Sequence, residues 1–309
     1  FTPDITAAAY RISETVDGLN KNGIDTFVIT STPHKSNTKS NLKNDEENII
    51  RIKIPFFKKQ TKISYLYQYI SFTLKSIIKS LSLRRSFKYD LILVSSPPIT
   101  IAFVAFIVKF ITKRPLIFDV RDVWPDSAVA INKLSKEGLI YYFFKKVERY
   151  IYEKSDYLTC VAEPMKGYIS NLSQKDNIKV IYNGASDELL NLNINKSKFD
   201  YEQDFFYTYA GNIGHAQDII TVVKAFSKFL SDNKNKNCYL NLIGNGPEKE
   251  NVMHFSKKLF GNDRIIFKEE VQKKELRKEL LSSHVLMIPL IKSDIFELTI
   301  PSKVFDYMT

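Results

Sequence analysis

Two glycine-containing loops in the second half of the chain have the composition of an anion-binding site. Residues 211–215 read Gly-Asn-Ile-Gly-His and residues 242–248 read Leu-Ile-Gly-Asn-Gly-Pro-Glu, and each loop follows a strand-like run and precedes a helical pattern. Backbone N–H groups at a helix start favour phosphate, and glycine lets the backbone approach closely. The loops therefore predict diphosphate contacts, with ordinary tight turns as the alternative. The candidate residues are Gly211, Asn212, Gly214, His215, Gly244 and Gly246.

A third segment, residues 296–306, combines a hydroxyl and an ammonium with the carboxylates of Glu297 and Asp306. Pro301 and Ser302 are typical of a helix start, so Ser302 and Lys303 would lie beside the free N–H groups of the first turn. Asp306, one turn further along, suits the hydroxyl groups of a ribose. The alternative is an ordinary capped amphipathic helix.

A fourth segment, residues 119–126, reads Asp-Val-Arg-Asp-Val-Trp-Pro-Asp and follows a strand-like run. Three carboxylates, an arginine and the single tryptophan at a strand end are typical of a cleft wall, and Asp122 is the candidate base. A turn with helix-capping aspartates is the alternative. Since neither His nor Cys stands at a useful spacing, no metal site is predicted here.

The chain has 309 residues and a net charge of +11, and the excess is local. Residues 51–150 hold 19 Lys and Arg against 6 Asp and Glu, and residues 51–88 hold ten basic residues and no acidic one. Aromatic residues and a helical apolar spacing run through 51–88. This pattern favours docking on an anionic membrane surface. A solvated helix and nucleic-acid binding remain alternatives, although no nucleic-acid module surrounds the segment.

Several classes of protein are excluded or disfavoured by composition. The longest apolar stretch, residues 91–112, is interrupted by Pro97 and Pro98 and is too short to span a bilayer, which needs about 20 residues. The N-terminal residues lack the features of a secretory signal. The two cysteines, Cys160 and Cys238, lie in strand-like runs, which predicts buried thiols and a reducing, cytosolic compartment.

Strand-like and helical segments alternate along the whole chain, which predicts parallel sheets covered by helices. The polar residues 186–203 are typical of a linker, so we expect two doubly wound α/β domains, 1–190 and 191–309. Both termini are expected to be truncated, because no strand precedes Phe1 and the chain stops within a helical pattern. The predicted strands are 26–30, 49–54, 91–95, 116–120, 157–162, 179–182, 205–210, 239–243, 265–268 and 285–289, and one predicted helix spans 219–230.

Taken in order, these segments resemble bacterial glycosyltransferase family 4, and within it the colanic-acid, O-antigen and fucosaminyltransferase-like enzymes. The resemblance covers essentially the whole chain. It is carried by FTPDITAAAYR at 1–11, DVRDVWPD at 119–126, VIYNG at 180–184, YAGNIGHAQD at 209–218, LIGNGPE at 242–248 and IPSKVFDYM at 300–308. It implies the GT-B fold, in which two Rossmann-like domains face each other across a cleft.

The resemblance also implies an activity: transfer of a sugar from a nucleotide-diphosphate sugar, by family habit a UDP-sugar, to a polyprenyl-diphosphate-linked or glycan acceptor. Retention of configuration is implied, with neither a metal nor another cofactor. Surface-polysaccharide synthesis at the inner face of the plasma membrane is the implied setting. A nucleotide-sugar epimerase or hydrolase of the same fold, or a non-catalytic binding protein, are the alternatives.

The resemblance assigns expected roles to the candidate residues. Residues 211–215, Ser302 and Lys303 would hold the diphosphate, and Gly244 and Gly246 would shape the base pocket. Asp306 would bind the ribose and Glu297 the sugar hydroxyl groups. Asp122 would contact or deprotonate the acceptor. Arg121 stands where the family usually has the histidine of a His-Asp pair.

Overall fold

The computed structural model describes residues 1, 7–32, 48–55, 57, 62–83, 88–184, 204–233, 237–260, 264–271 and 273–308. The chain divides into two compact units. The first comprises Phe1–Ser127 and Leu134–Asn183, and the second comprises Ala128–Lys133 and Gly184–Thr309. The predicted linker, residues 186–203, lies outside the described residues.

The first unit alternates helices with parallel strands. Its strands are β1 (Val28–Ser31), β2 (Ile49–Ile52), β3 (Ile92–Ser95), β4 (Leu116–Val120), β5 (Tyr157–Cys160) and β6 (Ile178–Val180). Its helices are α1 (Ala7–Lys21), α2 (Lys62–Leu83), α3 (Ile101–Thr112), α4 (Asp126–Ala130), α5 (Leu139–Lys154) and α6 (Glu163–Ser173). Strands β3 to β6 form a parallel sheet in sequence order, and β1 pairs with β2 in a parallel pair.

Strand β4 lies between β3 and β5 and is the most buried strand of this sheet. Leu116, Phe118 and Val120 are at most 1% exposed. Such burial is typical of a parallel strand covered on both faces, and it extends to the polar Asp119. The sequence pattern therefore predicts this strand with its observed bounds, and its neighbours follow from the same alternation.

The second unit contains β7 (Phe205–Ala210), α7 (Ile219–Asp232), β8 (Cys238–Ile243), α8 (Lys249–Phe260), β9 (Ile265–Lys268), α9 (Lys273–Leu281), β10 (Val285–Leu286) and α10 (Lys303–Tyr307). Its parallel sheet has the order β10-β7-β8-β9. The strand order thus reverses at β7, whose next strand along the chain lies on one side and β10 on the other. Ligands of open α/β sheets bind outside the carboxyl ends of strands at such a switch point.

A compact apolar core covers the sheet of the second unit. Ile213, Val223, Leu240 and Leu242 are fully buried in it. Along α7, Ile219, Val223 and Phe226 recur at helical spacing and are buried, which confirms the predicted helix.

The predicted fold class, two Rossmann-like α/β domains, is confirmed. Strands β4, β7 and β9 have the predicted bounds, whereas the run predicted at 285–289 forms a strand over Val285–Leu286 alone. Both cysteines are free and buried, as predicted. Among the described helices, none has the length and hydropathy needed to cross a membrane.

Candidate functional site

The loops that follow β7 and β8 lie directly against each other through backbone hydrogen bonds. The Gly211 amide donates to Ile243 O at 2.8 Å, and the Ile213 amide donates to Asn245 O at 2.8 Å. In the opposite direction, the Glu248 amide donates to Ile213 O at 3.0 Å. The two loops therefore form one rigid edge at the carboxyl ends of the central strands.

Gly244 and Gly246 permit this close packing. Their φ angles are +135° and +156°, in the region that favours glycine. A Cβ atom at Gly244 would lie 2.1 Å from Gly211 O, and one at Gly246 would lie 2.3 Å from Ile213 O. The structure thus gives both glycines a role in loop packing, a role that the sequence pattern did not indicate.

Lys303, the first residue of α10, reaches back to the carboxyl end of β7. Its Nζ atom donates to Tyr209 Oη at 3.0 Å and lies 4.7 Å from the centroid of the Tyr209 ring. A Cβ at Gly211, where φ is +135°, would lie 2.4 Å from Lys303 Cε. Glycine at position 211 therefore leaves the space that the lysine side chain fills. Burial lowers the pKa of Lys303 to about 8, and the charge of Asp306 partly opposes that shift.

Two tyrosines that the sequence analysis missed hold this arrangement together. The Tyr209 hydroxyl donates to Asn212 O at 2.5 Å, which ties the strand end to its own loop. Tyr307 Oη accepts from the Ala210 amide at 3.2 Å, which ties α10 to the same strand. Lys303 and Tyr307 are four residues apart on a helix and so face the same way, and this spacing is the signal that identifies Tyr307.

The glycine loop is closed by the side chain of Gln217. Gln217 Oε1 accepts from the Gly214 amide at 3.2 Å and from Asn212 Nδ2 at 3.3 Å. A Cβ at Gly214 would lie 2.6 Å from Asn212 Nδ2, so glycine is needed for this closure. Of the five amides in 211–215, those of Asn212 and His215 have no protein acceptor among the described residues.

The expectation that this loop leads straight into a helix start needs correction. A 3-10 turn, His215–Gln217, separates the loop from α7. Asp218 caps α7, and its carboxylate accepts from the Thr221 amide at 3.4 Å. The positive end of this helix is therefore already compensated by a carboxylate, which leaves Lys303 as the cation at the strand end.

His215 connects the two glycine loops. Its Nε2 atom lies 3.2 Å from Glu248 Oε1, and its side chain is half exposed. The contact joins the two loops because His215 is the last residue of the first loop and Glu248 is the last residue of the second. His215 therefore positions the loops as well as offering a polar group to solvent.

The remaining candidates of the second unit lie near α10 in sequence but are not all brought together. Ser302 is the N-cap residue of α10 and its side chain makes no capping hydrogen bond. Asp306 lies within α10. Glu297 is exposed on the separate 3-10 turn Phe296–Leu298. Lys303 thus lies against the first glycine loop, and Ser302 and Asp306 are its neighbours on α10.

In the first unit, Asp122 lines a crevice. The lining residues include Ser96, Phe118, Trp124 and Tyr152. Asp122 Oδ2 accepts from Ser127 Oγ at 3.0 Å. Burial raises the pKa of Asp122, although the bond from Ser127 lowers it. Asp122 is therefore a partly buried carboxylate whose proton affinity is increased.

The three aspartates of 119–126 do not line one common wall. Asp119 is 5% exposed and pairs with Arg11 and Arg121. Asp126 Oδ2 lies 2.6 Å from Lys145 Nζ, and this ion pair lowers the pKa of Asp126 against the effect of burial. The prediction of a shared cleft wall is corrected accordingly, because each carboxylate has its own partners.

Lys145 also joins a buried cluster that the sequence did not indicate. Its Nζ atom lies 2.8 Å from the fully buried Glu148 and contacts the Tyr168 hydroxyl. Burial raises the pKa of Glu148 to about 7, although Lys145 opposes that shift. This cluster joins α5 to α6, since Lys145 and Glu148 belong to α5 and Tyr168 to α6.

Part of the basic segment 51–88 forms α2, and α2 exposes one apolar face. Tyr67, Ile70, Leu74 and Ile78 are between 48% and 69% exposed and recur at helical spacing. Beside them lies a groove lined by Arg51, Lys53, Lys75 and Lys79 together with isoleucines. We call this combination the α2 surface. Residues 56, 58–61 and 84–87 of the segment lie outside the described residues.

No group of three His, Cys, Asp or Glu side chains suited to a metal ion occurs among residues that the structure describes.

Solved structures with a similar fold include three of particular interest. Sucrose-phosphate synthase from Thermosynechococcus elongatus matches with a TM-score of 0.70 and 14% identity, over 92% of this chain and 70% of that one. WaaG, a glycosyltransferase involved in lipopolysaccharide biosynthesis, matches with a TM-score of 0.64 and 12% identity, over 95% and 74%. HepE from Anabaena, in complex with UDP and glucose, matches with a TM-score of 0.53 and 12% identity, over 77% and 60%. No curated protein sequence matches the chain.

Two family models match the chain in succession. The model for glycosyl transferases group 1 matches residues 191–297. The model for glycosyltransferase family 4 matches residues 8–189, which is more than half of the chain. The chain therefore belongs to glycosyltransferase family 4.

Proposed function

We propose that this protein transfers a sugar from a UDP-sugar to a polyprenyl-diphosphate-linked or glycan acceptor in the synthesis of a surface polysaccharide. Membership of glycosyltransferase family 4 supports the reaction class. The similarity to WaaG, which acts in lipopolysaccharide biosynthesis, and to HepE, which was solved with UDP and glucose, supports the setting and the nucleotide. The resemblance of its motifs to those of the colanic-acid, O-antigen and fucosaminyltransferase-like enzymes supports the same setting.

The observation that carries the proposal is the position of Lys303. Departure of the sugar leaves negative charge on the diphosphate, and a fixed cation in a site of low dielectric stabilises that charge. The Lys303 ammonium is partly buried, lies at the switch point of the sheet and has a neutral tyrosine hydroxyl 3.0 Å away. A diphosphate would give this ammonium the anionic partner that Tyr209 does not provide. In this proposal the lysine takes the place of a metal ion at the diphosphate, and the sugar is transferred with retention of configuration, as the family resemblance implies.

The other candidates of the second unit complete the donor site in this proposal. The Asn212 and His215 amides and the Ser302 hydroxyl add hydrogen bonds to the diphosphate oxygens. The edge formed around Gly244 and Gly246 bounds the base pocket. Asp306 binds the ribose hydroxyl groups, and Glu297 orients the hydroxyl groups of the sugar.

In the first unit, Asp122 contacts the acceptor hydroxyl and accepts its proton. A carboxylate surrounded by water is a weak base at neutral pH, and burial brings its pKa closer to the working pH. The direction of the pKa shift at Asp122 supports this role.

The α2 surface docks the protein on the anionic inner face of the plasma membrane in this proposal. The exposed apolar side chains suit the acyl-chain boundary of a membrane, and the four basic residues beside them suit its anionic headgroups. A polyprenyl-linked acceptor resides in the same membrane, so docking brings enzyme and acceptor together.

Binding of UDP to the full chain, measured by calorimetry, tests the donor site. Lys303→Gln removes the buried charge and is expected to weaken UDP binding by about tenfold or more, since hydrogen bonds to charged groups contribute about 1.5–3 kcal/mol. Lys224→Gln, on the exposed side of α7, removes the same charge and serves as the control. UDP binding that is equally strong in both variants and the wild type would refute the role of Lys303.

Incubation of the protein with UDP-sugars and an extract of membrane lipids tests the reaction itself. We expect labelled sugar to appear in the lipid or glycan fraction. Conversion of the nucleotide sugar that is equally fast without any acceptor would instead identify an epimerase or hydrolase.

A further inference from the structure

In the first unit, two arginines converge on one carboxylate at the carboxyl ends of the strands. Asp119 lies in β4, is 5% exposed and accepts from Arg121 Nε at 2.6 Å. Arg11, on α1, donates from Nη1 to the same Oδ2 atom at 3.2 Å, although 108 residues separate it from Asp119. The two guanidinium groups therefore share a single negative charge.

The other partners of these arginines are neutral. Arg11 Nη2 donates to Ser95 Oγ at 2.9 Å, and Arg121 Nη1 donates to Asn183 Oδ1 at 3.0 Å. Within the described part of the chain, neither guanidinium pairs with a second carboxylate. The cluster consequently carries one excess positive charge on side chains that are 21% and 14% exposed.

Neutralising Asp119 does not require two arginines. One arginine balances its charge, and Thr159 Oγ1 and Ser95 Oγ, which donate at 2.7 and 2.9 Å, already satisfy its oxygens. A second, partly buried cation is repelled by the first and loses its hydration. Burial and the charge of Arg121 accordingly both lower the pKa of Arg11. A bound anion would offset both penalties by its attraction to the two guanidinium groups.

The remaining N–H groups suit an anion with several oxygens. Each guanidinium has five N–H donors in a rigid fork, and the contacts described here use two on each. Such forks match phosphate oxygens in a bidentate way. Ser95, Asp119, Thr159 and Asn183 lie in or just after four successive strands of one sheet, where ligands of open α/β sheets bind.

We infer that Arg11 and Arg121 form a binding site for a phosphoryl group of the acceptor. This inference rests on the proposed function for the identity of the ligand, but the anion site is testable without it. The phosphoryl group belongs either to a lipid diphosphate or to a phosphorylated soluble glycan. Asp119 holds the two guanidinium groups beside each other, because both donate to its Oδ2 atom.

Calorimetric titration of the full chain with inorganic pyrophosphate, in saturating UDP so that the donor site is occupied, tests the site. Arg121→Gln and Arg11→Gln are each expected to weaken pyrophosphate binding by about tenfold or more. Arg149→Gln, which removes the same charge from an exposed pair with Glu153 on α5, is the control and should stay within twofold of the wild type. Equal binding by the control and both test variants, or no binding by the wild type, would overturn the inference.

A measurement on the unmodified protein covers the case in which neither arginine variant folds. Trp124 is the single tryptophan of the chain and stands three residues after Arg121. Pyrophosphate is expected to change its fluorescence with the same dissociation constant as the calorimetric signal. Fluorescence that stays constant while pyrophosphate binds would place the anion elsewhere and contradict the assignment.

Kinetics with three acceptors distinguish the two sources of the phosphoryl group. The acceptors are one glycan attached to a short polyprenyl diphosphate, the same glycan as a soluble phosphate, and the same glycan without phosphate. Arg121→Gln is expected to raise KM for the phosphorylated acceptors and to leave KM for the phosphate-free glycan unchanged. An increase for the lipid-linked acceptor alone identifies a lipid diphosphate, whereas equal effects on all three acceptors would contradict the site.

These outcomes separate this inference from the proposed function. UDP binding depends on Lys303 in the second unit, so its loss in Lys303→Gln tests the donor site alone. Pyrophosphate binding that survives in Lys303→Gln and disappears in Arg121→Gln supports the arginine site even if no sugar transfer is observed.

Discussion

The ammonium nitrogen of Lys303 lies 3.0 Å from the Tyr209 hydroxyl oxygen, although 94 residues separate the two side chains in the sequence. Because the tyrosine is neutral, this hydrogen bond holds the ammonium in place without neutralising its charge. The proposed donor site depends on this relationship, and three of the predictions below test it.

Tyr209→Phe should weaken UDP binding without removing any charge. The hydroxyl fixes Lys303 and also donates to Asn212 O, so its loss gives the ammonium more freedom. A net hydrogen bond contributes about 0.5–1.5 kcal/mol, so we expect a loss of affinity of about three- to tenfold by calorimetry. Tyr207→Phe, two residues earlier in β7, is the control and should bind UDP like the wild type. The positioning role of Tyr209 is rejected when both variants bind alike.

The affinity for UDP should depend on pH through Lys303. Its pKa in the free protein is about 8, so the ammonium loses its proton as pH rises through that value. The dissociation constant should be nearly constant below about pH 7, should roughly double by pH 8 and should increase about tenfold by pH 9. Lys303→Arg keeps its charge over this range and should flatten the profile. A wild-type profile as flat as that of the arginine variant would argue against a lysine with a lowered pKa.

Lys303→Met should stabilise the protein at pH 7 while it weakens UDP binding. The pKa of this lysine is lowered from 10.5 to about 8 on folding, so the charged form is destabilised in the folded state. That penalty is fully present below pH 8 and disappears as pH approaches 10.5. We expect a gain of roughly 1–3 kcal/mol in the free energy of unfolding at pH 7, measured by thermal or urea denaturation. A variant that is less stable at pH 7 contradicts the prediction.

Gly244→Ala should destabilise the edge formed by the two loops. The new Cβ would lie 2.1 Å from Gly211 O, and φ at this position is +135°. Backbone must therefore move, and we expect a loss of about 2 kcal/mol or more in the free energy of unfolding. Gly167→Ala is the matched control, because Gly167 lies within α6 and nothing would lie within 4 Å of its Cβ. That control should be neutral or stabilising by about 0.5–1 kcal/mol, and similar losses in both variants would refute the packing argument.

Substitutions on the α2 surface should reduce binding to anionic liposomes. Leu74→Ser removes an exposed apolar side chain, and Lys79→Glu reverses a charge that lines the groove. In sedimentation with vesicles rich in phosphatidylglycerol, each should lower the bound fraction by severalfold, since a basic residue near such a surface contributes about 1 kcal/mol. Lys166→Glu, at a side chain of α6 that is 40% exposed, makes the same charge change elsewhere and should have a smaller effect. Equal effects of both charge reversals would indicate net charge rather than the α2 surface.

The sequence by itself determined the alternation of parallel strands and helices and the position of the glycine loops. Local periodicity was sufficient because a parallel strand covered on both faces, such as Leu116–Val120, is largely apolar, with Asp119 as its one polar residue. It also identified Lys303, since Pro301 and Ser302 begin a short helix at a predictable place.

Only the tertiary structure decided which side chains meet. The contacts of Lys303 with Tyr209, and of Arg11 with Asp119, join residues about a hundred positions apart, and no local spacing encodes them. The same is true of Gly244, whose missing side chain matters because another loop lies against it. Hydrophobic periodicity fixes which face of an element is buried, whereas the pairing of polar groups depends on how the elements pack, and that is settled when the chain folds.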